Sequence, residues 1–586
     1  MTNLRWVLGL VTLVSLSVGC SETTTITKKI TGSSLPTAKD KPSCGSAKVY
    51  AGGITISGSA YFKRRVFGGF GLGGVDATDY PIRFAEIEVQ SSSGSKVQCG
   101  ETDANGDFSL NMPLDSKTYK IYVNSRANNS YVNATVQNDP YKYSHYSVSS
   151  TFVADANKTI SDIVASATDS VVGGAFNIYD RIVQANIFLR ESTNNCDLDF
   201  ADCTPIDVAP RVYAYWKLGF NPASYFGSSS GVSFYLPGRS QLFILGGSNG
   251  NYTSSDTDHF DDAVIVHEYG HFIEDKYSKT NSPGGSHDAD SIADPRLAWS
   301  EGWATFFGLA VNGDSSYRDT IGIGLGYLIN ENLESYPGSR DVPARNGEGN
   351  FREFSIVRAM WDMLDPYSYD TVTVASTDAG SGDSVNLDFK EIWTVFYGSD
   401  SGSKQFRDSS SRFKDYGLFM ELQSELTDLG KTDVSAVLTM EKQKASREDY
   451  AAQDEVVGGT CAETSIQATT ASGSISGSDM FGSNDFYHYY HTGGSVTFSL
   501  SYDDDANPAT DPGADLDIYV YKESYTFGDT SSMVAISNSS NDGGLESVSK
   551  SLSAGHYLVN VYVDTKSGLG TAVNYTLTIG GEQVCP

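Results

Sequence analysis

The sequence predicts a multidomain chain: a central α+β domain flanked by two β domains. Three observations predict it. First, 586 residues exceed what one core organises at about 150 residues per domain. Second, charged residues are 19% and hydrophobic residues 39%, a globular balance. Glycine at 58 and tyrosine at 35 against phenylalanine at 28 favour turn-rich β structure. Third, the hydrophobic period changes along the chain. Alternation dominates residues 44–170, helical spacing dominates 171–455, and alternation returns over 460–586.

The chain opens "MTNLRWVLGLVTLVSLSVGC". Arg5 supplies a positive start, and residues 6–16 form an apolar run too short to span a bilayer. Small residues and Cys20 follow. Residues 1–20 resemble a bacterial lipoprotein signal peptide. The resemblance implies an exported bacterial protein lipidated at Cys20, placed at the outer membrane or cell surface, or secreted. Three places before Cys20, where that family has an aliphatic residue, this chain has Ser17, with Leu16 one further back. No later segment is apolar enough for a membrane helix, so the lipid at Cys20 is the one membrane attachment expected.

A net charge of −31 repels nucleic-acid phosphates and anionic membranes, so no nucleic-acid partner is expected. A solubilising surface accounts for that charge, and calcium binding is compatible with it. Setting Cys20 aside leaves Cys44, Cys99, Cys196, Cys203, Cys461 and Cys585, an even number as an exported protein with disulfides would have. The simplest pairing within domains is Cys44–Cys99, Cys196–Cys203 and Cys461–Cys585, one of many connectivities six cysteines allow.

Residues 21–43 are polar and rich in Thr, Ser and Lys, and read as a linker. Over 44–170, "AEIEVQ", "DFSLNM" and "YKIYVN" alternate, separated by the turn signals "SSSG" and "DANGD". The strand, turn, "TDANGDF", strand run resembles a carboxypeptidase-regulatory-like or transthyretin-like β-sandwich, which implies a spacer or binding module. "DANGD" reads as a tight Asn-Gly turn, with calcium binding as the alternative.

Residues 171–455 begin with strand-like pieces, "QANIFLRE", "VSFYLPG" and "QLFILGG". Helical patterns follow: "DDAVIVHEYGHFIEDKYSK", "DPRLAWSEGWATFFGLAVNG", "NFREFSIVRAMWDMLDP", "DFKEIWTVFYG" and "DVSAVLTMEKQKASRED". Each helix opens with Asp or Asn at a plausible N-cap. "NNCDLDFADC" reads as a disulfide-tied acidic loop, with calcium binding as its alternative.

Residues 460–586 alternate again in "DFYHYYHTGGSVTFSLSYDDD", "ADLDIYVYKES", "GLESVSKSLSAGHYLVNVYVDT" and "VNYTLTIGG". Through "GGSVTFSLS", "ADLDIYVY" and "LSAGHYLVNVY" the segment resembles the bacterial pre-peptidase C-terminal β-sandwich. The resemblance implies a protease upstream. Its acidic loop holds Asp503, Asp504, Asp505, Asp511, Asp515 and Asp517. Asp503, Asp505, Asp515 and Asp517 are the candidate Ca²⁺ ligands, against a merely solvated loop.

The chemistry concentrates in "HEYGH". The chain has eight histidines, and His267 and His271 stand four apart, on one face of a helix. Imidazole nitrogens suit Zn²⁺, and Glu268 beside them can take a proton from an activated water. An ordinary helix with surface histidines is the plain alternative, but Val264, Val266 and Phe272 surround the motif with apolar residues. A metzincin third histidine would fall at Tyr277 and its glycine at Glu274, so that pattern fails.

"SEGWATFF" resembles the E-G-W-[AS]-D-F segment of fungalysin-type peptidases and the N-E-x-x-x-D segment of thermolysin-type ones. With HEYGH it makes the chain similar to a gluzincin. The resemblance implies Glu301, with 29 residues between it and His271, as third zinc ligand. The aspartate that often orients the first histidine is replaced by Thr305, so His267 must lean on a hydroxyl, a carbonyl or a residue elsewhere. The oxyanion donor expected of this chemistry is open among His287, Tyr277, Tyr327 and Tyr336. Glu353, three residues after Asn350, fits a capping box.

The fold class implied is an α+β zincin-like catalytic domain flanked by two β-sandwich domains. The function implied is an exported zinc-dependent endopeptidase acting on protein or peptide, with Glu268 as general base. The alternatives are a catalytically silent surface binding or adhesion protein on the same fold, and a zinc hydrolase of a non-peptide substrate.

Overall fold

The computed structural model describes most of residues 37–333, then 352–364, 387–397 and 437, and most of 453–585. Several expectations lie outside the described residues: Cys20, the Cys196–Cys203 pair, Cys461, Tyr336, Asp503, Asp505, and nearly all of the helix expected from 433 onward. The chain is multidomain and mostly β, and five helices are described. None of the described helices is long and apolar enough to cross a membrane.

The first β region holds two sheets. In one, Ile54–Phe62 pairs antiparallel with Asp107–Met112 and parallel with Lys158–Thr159 and Ile163–Ala165. The other runs Ser147–Val153, Thr118–Asn124, Glu86–Ser91, Lys96–Glu101. Alternation puts Tyr119, Ile121 and Val123 in one core with Ile54, Ile56, Leu110 and Met112. A Cys44–Cys99 disulfide with Cα atoms 5.6 Å apart pins the entering chain to this sheet. "DANGD" forms the tight turn. Asp103 Oδ1 accepts from the amides of Asn105 at 2.8 Å and Asp107 at 3.0 Å. Gly106 sits at φ 79°, where a Cβ would lie 2.4 Å from the Ala60 carbonyl oxygen.

The end of the segment read as a linker is docked. Arg126 donates to Asp40 Oδ1 at 3.1 Å and to the carbonyls of Lys41 and Pro42 at 2.8 and 2.9 Å. The next sheet crosses the 170/171 position. Its order is Phe234–Leu236, Gln241–Phe243, Val212–Tyr215, Asn133–Gln137, Arg126–Asn128. Two of its strands therefore come from the first β region, and one hydrophobic core runs through both parts.

Helix α1 (Val172–Ser192) corrects one expectation, since "QANIFLRE" is helical. Its buried residues Phe176, Tyr179, Ile182, Val183, Asn186 and Leu189 recur at steps of three and four. The short run "IFL" shows that period only with the upstream residues in view. The other helices are α2 (Asp262–Tyr277), α3 (Pro295–Asn312), α4 (Glu353–Leu364) and α5 (Phe389–Phe396). Pro295 opens α3, where its missing N–H is harmless. Before α5, Glu391 reaches back to the Asp388 amide at 2.8 Å.

The C-terminal region is sandwich-like. One sheet is built on Asn484–His491, Gly555–Val563, Leu516–Lys522 and Met533–Ser537; the other on Glu582–Cys585, Ala572–Ile579, Gly494–Tyr502 and Leu545–Leu552. Phe498, Leu500, Ile518, Val520, Val559 and Val561 fill its core.

Candidate metal centre

Helices α2 and α3 meet through small residues. A Cβ on Gly270 would stand 2.9 Å from Ala304 Cα, and one on Gly308 would stand 3.2 Å from the Ala263 carbonyl oxygen. That close approach lets a glutamate on α3 reach two histidines on α2. Glu301 Oε2 lies 3.0 Å from His271 Nε2 and 3.2 Å from His267 Nε2, and the two Nε2 atoms are 3.2 Å apart. All three side chains are buried.

These separations fit a metal ion. Ligand atoms at about 2.0–2.1 Å from a tetrahedral Zn²⁺ stand about 3.3 Å from one another. The outward nitrogens fit too. Thr305 Oγ1 is 2.8 Å from His267 Nδ1, and Ser300 Oγ and Glu274 Oε2 lie 3.5 and 3.9 Å from His271 Nδ1. Oxygen partners at Nδ1 set the tautomer that leaves Nε2 as the ligand atom. Thr305, the residue in the family's aspartate position, is thus itself the partner of His267.

His287 joins the cluster from the segment between α2 and α3. Its Nδ1 meets Glu353 Oε2 at 2.9 Å and its Nε2 lies 3.6 Å from Glu301 Oε1. Glu353, expected as a cap, has turned its Oε2 to His287. Burial disfavours the imidazolium of His287, but Glu301 and Glu353 outweigh it and push the pKa up to about 9. Burial likewise opposes the charge of His271, yet Glu301 and Glu274 hold its pKa well above the usual value. Burial would raise Glu301, and His287 and His271 instead hold it well below the carboxylate range.

Tyr277 is not brought to this site. It stands six residues beyond His271, about 240° round the helix. Its ring packs at 5.5 Å from Trp393 and 5.1 Å from Tyr397. Tyr327 begins the strand Tyr327–Asn332. Asp515 and Asp517 lie in the C-terminal region, where Asp517 accepts from the Tyr519 hydroxyl at 3.0 Å. The sequence reading missed Glu274 and Ser300, whose 2.6 Å hydrogen bond backs His271. It also missed Asp256, Asp258 and Asp319, whose carboxylate oxygens lie within 4.8 Å of one another. The density of "DTDHFDD" was the available signal.

Comparison with known proteins adds family context. Residues 238–416 match the Mycolysin C-terminal domain, a peptidase-associated domain. The matched range contains His267, Glu268, His271, His287 and Glu301. An uncharacterised protein of Archaeoglobus fulgidus is 33% identical over 116 residues, 19% of this chain and 29% of that protein; the match therefore spans under a third of that relative. Among solved structures, the pre-peptidase C-terminal domain of a Bacillus anthracis collagenase matches at 15% identity and TM-score 0.13, covering 22% of this chain and 97% of that one. A periplasmic inhibitor of g-type lysozyme from Aeromonas hydrophila matches at 13% identity and TM-score 0.13, covering 20% and 82%.

Proposed function

We propose that the chain is an exported, lipid-anchored zinc endopeptidase with a zincin-like α+β catalytic domain. His267, His271 and Glu301 hold the ion and Glu268 is the general base. The observation that carries this reading is the convergence of two Nε2 atoms and one carboxylate oxygen within 3.0–3.2 Å, each imidazole turned by an oxygen at its other nitrogen.

Held by His267, His271 and Glu301, a zinc ion would supply Lewis acidity to polarise a carbonyl and lower the pKa of a water. Glu268 takes the proton from that water as its oxygen attacks the peptide carbonyl carbon. It returns the proton to the amide nitrogen as the C–N bond breaks. His287, its Nδ1 held by Glu353 Oε2 at 2.9 Å, donates from Nε2 to the carbonyl oxygen as negative charge develops there.

The test is cleavage of casein with zinc content measured on the same sample, for wild type and Glu268→Gln. Wild type should carry about one zinc and cut; the variant should keep zinc and lose about 10²–10⁴-fold in kcat. If neither protein holds zinc, the proposal fails. One observation favours the second reading, a silent metal-bound binding protein: His267 and Glu268 are each 1% exposed. Zinc in both proteins with cleavage by neither would decide for it.

A further inference from the structure

We propose that Asp256, Asp258, Asp261 and Asp319 form a calcium site that ties the start of α2 to the strand Ser316–Gly322. The inference is independent of the zinc reading, because it concerns a different set of side chains.

The geometry comes from a loop laid against that strand. Thr257 N donates to the Thr320 carbonyl at 3.3 Å, the Thr320 hydroxyl donates to the Thr257 carbonyl at 3.0 Å, and Ser255 bridges to Gly322. This pairing sets Asp319 opposite Asp256 and Asp258, with one carboxylate oxygen from each within 4.8 Å of the others. Asp261, the residue before α2, comes in from the side. Its Oδ2 accepts from Thr320 N at 2.6 Å and from Thr320 Oγ1 at 2.7 Å.

Acidic clusters alone show nothing. Here a second observation points to a ligand. Asp261 is 0% exposed, and its Oδ1 is sealed from solvent without a hydrogen-bond partner. That carboxyl faces Asp319 at hydrogen-bonding range, so the two carboxyls meet each other, and neither Oδ1 receives an N–H or O–H donor from any other group among the described residues. A buried carboxylate oxygen left bare is costly unless a cation meets it. Asp258 Oδ2 is supported by the Ser233 hydroxyl, which fixes its direction and leaves the charge.

The next residue along supplies the contrast. Asp262 is only partly buried, its side chain 19% exposed, and it is paired: Arg64 Nη1 stands 2.7 Å and Arg181 Nη1 3.5 Å from its Oδ2, and Asn177 donates to Oδ1 at 3.1 Å. Burial would raise it, and these partners lower it below its ordinary pKa instead. Among the described residues, no Lys or Arg pairs with Asp256, Asp258, Asp261 or Asp319. Burial and mutual repulsion push Asp256 up to about 10, and burial pushes Asp319 up to about 7. A divalent cation supplies the missing charge. The donors are all hard oxygens, with neither nitrogen nor sulfur, which selects Ca²⁺ or Mg²⁺ over zinc. A largely dry set on irregular backbone suits Ca²⁺, because Mg²⁺ keeps several waters and strict octahedral geometry.

The test uses the full chain, stripped of metal, reloaded with one equivalent of zinc and titrated with CaCl₂. Bound calcium is read by equilibrium dialysis and stability by the thermal midpoint. We expect the midpoint to rise with calcium and not with equal MgCl₂. Half-saturation should come at or below about 10⁻³ M. The double variant Asp258→Asn/Asp319→Asn should bind one calcium fewer and lose the rise. Should that double variant not fold, Asp256→Asn, isosteric at a half-buried position, serves instead and should weaken binding by about tenfold or more. No calcium retained and no midpoint shift in wild type would overturn the proposal. A variant that binds and responds like wild type would overturn it equally, and would move any calcium to another acidic segment such as residues 503–517.

Discussion

Helix α2 carries two clusters of ionisable side chains, and they answer burial in opposite ways. In its middle, His267, His271 and His287 face Glu301, Glu274 and Glu353, so each buried charge finds its opposite. There Glu301 is held well below its usual range while His271 and His287 rise. At its start, Asp256, Asp258, Asp261 and Asp319 face one another, and every one of them rises. The difference teaches that burial of carboxylates is not by itself a sign of a metal. What matters is whether the cluster can neutralise itself. The first can do so with a proton or an ion. The second needs protons on its carboxyls or a cation from solution.

The largest effect should come from removing the carboxylate that serves the histidines. Glu301→Gln keeps the shape and deletes the charge. Zinc content should fall from about one per chain towards zero and casein cleavage should vanish with it. Glu301→Gln retaining both would remove Glu301 from the ligand set and leave the histidines to hold the ion without it. Next in size is Glu353→Gln. With zinc retained, kcat should fall by about 10–100-fold, since Glu353 holds the donor nitrogen of His287 in place. A change confined to KM would remove His287 from the reaction.

The strands of both β regions were largely legible, because amphipathic alternation survives wherever one face of a sheet meets a core. HEYGH was legible for a related reason: four residues on a helix fix a spatial relation locally. Glu301 was readable only through resemblance, since nothing in spacing brings a residue 30 positions away beside the two histidines. Its arrival depends on Gly270 and Ala304 letting two helices touch. The His287–Glu353 pair and the aspartate cluster were not legible. Each joins a loop to an element more than 50 residues further on, a relation that no local period encodes. Strand pairing between 133–137 and 212–215 was hidden for the same reason.

A smaller effect sharpens the account of the proposed zinc centre. Thr305→Val removes the oxygen 2.8 Å from His267 Nδ1 with little change of volume. Zinc affinity should weaken by about tenfold, the low end for an outer partner of a histidine ligand. Competition with a chelator reads this directly. Unchanged affinity would mean that His267 keeps its orientation from packing alone.

The smallest effect concerns a buried charge network that needs no ion. Arg126 meets Glu86 at 2.7 Å and Asp40 at 3.1 Å, and Arg211 also meets Asp40. Two guanidinium groups here face two carboxylates, so chelators and added calcium should leave this corner unaffected. His145 beside it is the exception. Burial, then the charge of Arg126, lowers its pKa to about 4, with Asp40 and Glu86 opposing. The sign follows from linkage. Between about pH 6.5 and 4 the unfolded chain binds a proton at His145 that the folded chain does not, so stability falls as pH falls through that window. Because the side chain keeps some contact with solvent, the contribution should be of the order of 1 kcal/mol. Denaturant midpoints at several pH values for wild type and His145→Gln would read it, with the variant showing the shallower decline. Equal declines in the two proteins would place the acid sensitivity in other groups, and the self-neutralised corner would then be insensitive to protons as well as to ions.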